Sequence, residues 1–286
     1  MLWYKKQADP EAMPDDQTII RPAELPVNFD EDIASSKLQT LLDEIDESPV
    51  DMDDLITSLD SKRMLMQTAF PLEAGLDWQL GNSEFGVVLS SIFPARRKLQ
   101  DFFADLDASE IDQRLNGLVY GSGALTERML NFCDLVPKEQ KKERRAVWDL
   151  AAEIMHFRDP LGTPLMTRWV WDDSTMTGAL REFIKGNDHM HQIPLDRRPE
   201  IFEGARSWFA DFLSEAGFYR EMPFLIDLLQ AKAYADYVKA MSSGLGMVQA
   251  EFGGNQHPLE FIVKLLGIDS NNTISSKTVE MPRTLH

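Results

Sequence analysis

From residue 35 onward, apolar side chains recur every three or four positions, in runs that a proline or a glycine ends. That spacing is the period of an α-helix with one buried face, and it leaves little room for strands, which alternate every second residue. Leu38, Leu41, Leu42 and Ile45 form the first stripe, with Ser35 and Ser36 as expected caps and Pro49 as the stop. Leu55, Ile56, Leu59 and Met64 form the second. The pattern resumes over 83–93 and 94–105, restarts at Ser109, and continues over 124–133 and 138–157. Ser174 is placed to cap a helix over 175–185 that Gly186 would close. The clearest amphipathic stretch is 199–216, where Ile201, Phe202, Ala205, Trp208, Phe209, Phe212 and Leu213 share a face. A helix from Pro223 to near Met241 and a short one between Pro258 and Gly267 complete the series. Only 165–171 is ambiguous: its aromatic and β-branched residues suit a short strand, but no partner strand is evident.

The expected fold is therefore all-α, an irregular multi-helix bundle whose short connections favour antiparallel neighbours. Four segments are expected. Residues 1–34 form an acidic, proline-rich arm, extended or disordered; 35–160 and 161–268 form two helical halves; 269–286 is a loose tail. Four prolines and little periodicity in 1–34 argue that this arm buries too little apolar surface to offset its ordering entropy. Trp3-Tyr4 and Ile19-Ile20 are its candidate anchors.

Charge narrows the function. The net charge is −18, and residues 1–62 hold sixteen acidic against five basic side chains. A chain this acidic is repelled by nucleic-acid phosphates and by anionic membrane surfaces, and no apolar run reaches the ~18 residues of a membrane span. With one cysteine, Cys133, no internal disulfide can form; together with a start that does not read as a signal peptide, this predicts a cytoplasmic protein.

Chemistry-bearing residues crowd into 148–172, which holds three of the six tryptophans. Asp149, Glu153 and His156 are spaced four and three apart, on one side of the predicted 138–157 helix. Glu-x-x-His on a helix is half of a carboxylate-bridged di-metal site. Asp188, His189 and His191, the two histidines alternating on an expected loop, or His257, are the candidates to complete it. The same pattern also fits a histidine hydrogen-bonded near a helix C-terminus. Lys138, Lys141, Lys142, Arg144 and Arg145 crowd the start of that helix, where the macrodipole disfavours cations, so an anionic partner is expected nearby. Trp169 and Trp171 are of a type that serves equally as core or as interface. No phosphate loop, dinucleotide fingerprint, nucleophile elbow or zinc signature occurs.

The run over 163–194, TPLMTRWVWDDSTMTGALREFIKGNDHMHQIP, resembles the proline–helix–helix pattern of haem-oxygenase-like and thiaminase-like oxidases, although the residues after it do not follow that family. The resemblance implies a helical oxidase.

Taken together, these features predict an acidic helical accessory or assembly protein that works by binding another protein, through Lys138, Lys141, Lys142, Arg144, Arg145, Trp169 and Trp171, without a cofactor. The alternative is a helical metal-dependent enzyme holding iron, manganese or zinc on Asp149, Glu153, His156, His189 and His191. Oligomeric state is left open.

Overall fold

The computed structural model describes residues 20–245 and 258–269. Trp3-Tyr4, Ile19, His257 and all of the expected tail but Asp269 lie outside them. Eleven α-helices occur among the described residues: α1 (Glu31–Asp46), α2 (Met52–Ala69), α3 (Asn82–Ser90), α4 (Phe93–Lys98), α5 (Gln100–Ala104), α6 (Ala108–Val119), α7 (Leu125–Cys133), α8 (Lys141–Arg158), α9 (Pro199–Glu215), α10 (Met222–Leu245) and α11 (Pro258–Leu265). Two short 3-10 helices, Ala179–Phe183 and Asn187–His189, lie between α8 and α9. No strand forms among the described residues; Phe29–Ile184 and Asp172–Thr177 are isolated antiparallel bridges. The fold is all-α, as the periodicity predicts.

Aspartates start three of the helices. Asp30 caps α1 by accepting from the N–H groups of Asp32 and Ile33, so α1 begins ahead of the expected Ser35-Ser36 cap. Asp51 and Asp54 form a capping box on α2, and Asp107, two residues before Ser109, caps α6. Arginines close helix ends. Arg128 donates to the Leu118 and Val119 carbonyls at the end of α6, and Arg144 to those of Cys133 and Val136 just past α7. Arg158 reaches the Phe70 carbonyl after α2, and Arg206 those of Pro160 and Leu161 after α8. The last carbonyls of a helix have no partner of their own and carry the negative end of the dipole, so a guanidinium satisfies both needs.

α8 is the axis of the molecule. Every residue from Ala146 to Phe157 is buried, which marks a helix surrounded on all sides. α2, α4 and α7 pack on it, while α10 packs on α1, α9 and α11. A single cluster of buried apolar side chains draws on both expected halves, from Phe29 to Ile268.

Two expectations are corrected. The predicted helix over 175–185 is a tight turn, 172–177, followed by the 3-10 helix Ala179–Phe183. Asp172 takes Ser174 as its own hydrogen-bond partner, through both N–H and Oγ, so Ser174 cannot cap a helix. Gly178 then passes so close to Val170 (an added Cβ would lie 2.5 Å from its carbonyl oxygen) that only glycine, at φ 133°, fits the path. Second, α8 starts at Lys141 rather than 138, because Pro137–Gln140 closes into a separate turn.

Candidate functional site

The segment 148–172 is a helix and its own return strap. After α8 ends, the chain turns at Pro160 and Gly162 and runs back along the helix without regular structure. The Trp148 indole N–H donates to the Met166 carbonyl at 2.9 Å. The Arg168 N–H donates to Asp149 Oδ1 at 2.9 Å, and its guanidinium to Asp149 Oδ2 at 2.6 Å. The strand considered for 165–171 does not form, because these backbone groups are satisfied by α8 side chains rather than by a ladder.

Asp149, Glu153 and His156 do lie on this buried helix, but each is tied to a different element. Asp149 holds Arg168 of the return strap; burial raises its pKa, and the guanidinium opposes the shift. Glu153 Oε2 accepts from Lys62 Nζ of α2 at 2.5 Å, and Lys62 also donates to the Leu266 carbonyl just after α11. Lys62 is fully buried and sits 4.3 Å from the centre of the Phe157 ring. Glu153 Oε1 has no donor among the described residues. Burial pushes the Glu153 carboxyl up to about 7 despite the ammonium beside it. His156 contacts the Thr163 carbonyl through Nδ1 and Asp227 Oδ2 of α10 through Nε2, both at 2.8 Å. A carbonyl only accepts, so Nδ1 carries a proton, and the Nε2–Oδ2 contact shares a second between ring and carboxyl.

This geometry does not bring the expected metal ligands together. Both His156 nitrogens and one oxygen of Glu153 are already engaged, and His189 and His191 are exposed near the second 3-10 helix. Among the described residues, no three of His, Cys, Asp or Glu are placed to share a metal ion. The Asp149–Glu153–His156 face is therefore a three-way brace joining α8 to its return strap, to α2 and to α10. A small cavity lined by His156, Asp227, Gln230 and Arg206 among apolar side chains measures about 10 Å³, room for one water molecule and not for a substrate. Burial pushes the Cys133 thiol up to about 12, which removes it as a nucleophile at neutral pH.

Of the expected interface residues, Trp169 and Trp171 are 5% and 1% exposed and belong to the core, where the return strap turns them inward. Arg144 is a helix cap, engaged by Cys133, Val136 and Asp134. Lys138, Lys141, Lys142 and Arg145 are exposed, and none has an ion-pair partner among the described residues.

The sequence reading missed Lys62, Asp227 and Lys232, which are all buried. Their signal was present. Lys62 stands on the stripe Leu55, Leu59, Met66, and Asp227 stands three residues after Phe224 and four before Ala231. A charge on an apolar stripe implies a buried partner, but not which element supplies it. Comparison with known proteins returns no match to any family model, curated protein or solved structure. The oxidase-like resemblance over 163–194 does not extend to structure here, since the expected helix pair is a turn and two 3-10 helices.

Proposed function

We propose that this chain is an acidic helical accessory protein that works by binding another protein, and that Lys138, Lys141, Lys142 and Arg145 contact an acidic segment of it. The observation that carries this reading is the exposure of four cations, unpaired among the described residues, just before and within the first turns of an 18-residue helix. Lys141 and Lys142 lie in its first turn, where a cation opposes the helix dipole at about 0.3–1 kcal/mol, and an anionic partner turns that cost into attraction. The remainder of the chemistry-bearing set supports the same reading, because Asp149, Glu153, His156 and Arg144 are consumed by the fold itself.

The test uses the full chain as bait, with a second bait in which the four cations are replaced by glutamine. Proteins held by the first bait, released by moderate salt and absent from the second are the expected outcome. An identical set on both baits removes this surface from the reading. A folded variant is checked beforehand by its thermal melt.

A further inference from the structure

Residues 20–29, outside any helix, lie across the C-terminal helices as a bound peptide would. Ala23, Leu25, Val27 and Phe29 face inward, whereas Glu24, Pro26 and Asn28 between them are exposed. This every-second-residue alternation is that of an extended chain, bent once at Pro26 and Val27, on an apolar floor. Pro22 and Pro26 favour the extended form in the residues before them and fall at positions whose missing N–H is harmless. Backbone bonds fix the register at both ends. The Ala23 N–H donates to the Glu200 carbonyl at 2.8 Å, the Asp30 N–H to Phe183 at 2.8 Å, and the Lys185 N–H to Asn28 at 3.2 Å. Phe29 is the anchor, with ring centres 5.2 Å from Trp208, 5.6 Å from Phe209 and 6.4 Å from Phe183. The floor is cut to fit: at Gly204 of α9 a Cβ would lie 2.3 Å from the Ala23 carbonyl oxygen and 3.2 Å from the Leu25 side chain.

A groove with a glycine floor, backbone acceptors and an aromatic pocket has the parts of an extended-peptide receptor. We propose that the groove formed by α9 and residues 183–185 is a recognition site for a partner protein's extended segment, held shut in cis by residues 20–29. The partner segment alternates small or aliphatic with polar residues and ends in an aromatic, because these are the features the groove reads. The strap, tethered directly to α1, competes at an effective concentration on the order of millimolar, so it acts as a threshold that only a well-matched segment passes. This site is independent of the lysine strip.

The experiment measures binding of a fluorescently labelled peptide of residues 20–31 to full-length chains. Leu25→Ser, Val27→Ser and Phe29→Ser together unseat the strap. The expected result is peptide affinity at least tenfold higher for this variant than for the wild type, lost again when Gly204→Val is added. Equal affinity of the two chains, with the variant folded, overturns the proposal. If the variant does not fold, the wild type decides: millimolar unlabelled peptide is expected to speed hydrogen exchange at the Ala23 and Asp30 amides, and unchanged exchange there overturns it. A wild-type chain that dimerises at micromolar concentration would assign the groove to a second copy and overturn it as well.

Discussion

Glu153, a candidate metal ligand in the sequence, is paired in the fold with Lys62, which the sequence reading missed. Each is buried, and each would be costly alone; together with the Leu266 carbonyl they join three elements. Removing one partner leaves the other charge buried and uncompensated. Lys62→Met, which leaves the Glu153 carboxyl buried without its ammonium, is therefore expected to cost about 3–5 kcal/mol in urea unfolding at about pH 8. Combining it with Glu153→Gln is expected to cost less than the sum of the single changes, which a double-mutant cycle reads directly. The pH dependence has a definite sign. Burial raises the Glu153 carboxyl from 4.5 to about 7, so the folded state binds this proton more tightly than the unfolded chain does. Its contribution to stability is full below about 4.5 and is lost as pH rises through 7. A carboxyl carbon NMR titration of Glu153 with its midpoint near 4.5 would contradict this.

At the scale of elements, the first turn of α8 separates cations by role. Arg144 supplies hydrogen bonds to two carbonyls at and just past the end of α7, so Arg144→Gln is expected to cost about 1–3 kcal/mol. Lys141 and Lys142 are exposed at the positive end of the same helix; their replacement by glutamine is expected to leave stability unchanged or to raise it by a few tenths of a kcal/mol. The midpoints of urea unfolding distinguish the two outcomes. α9 gives a graded pair. Phe209 is fully buried and Phe209→Ala is expected to cost about 3–5 kcal/mol, while Trp208, half-buried against Phe29, Phe209 and Phe212, is expected to cost less.

For the whole molecule, the net charge of −18 and the strap decide the response to solution conditions and truncation. Self-repulsion among the carboxylates opposes the compact state, so the melting temperature is expected to rise as sodium chloride increases from about 10 to 150 mM, which shortens the screening length from about 30 to 8 Å. A melt that falls over this range would mean that attractive ion pairs dominate instead. Deleting residues 1–34 is expected to lower the melting temperature markedly, since the deletion removes Phe29, the Asp30 cap and the fully buried Ala34. The low-periodicity reading of that arm missed this, because Ala23, Leu25, Val27 and Phe29 carry a two-residue period rather than a helical one, and two prolines break it up.

Most of the helices, most of their boundaries and the apolar faces of α1, α2 and α9 were legible in the sequence, because a 3.6-residue period, a capping aspartate or a terminating glycine acts over a few neighbouring positions. Asp149, Glu153 and His156 were legible as a face of one helix for the same reason. What that face contacts was decided only by tertiary structure: Lys62, Arg168 and Asp227 reach it from positions 91, 19 and 71 residues away from their partners along the chain. Local spacing carries no information about which distant charge arrives, and the desolvation that turns three polar residues into a brace exists only once those elements have closed around α8.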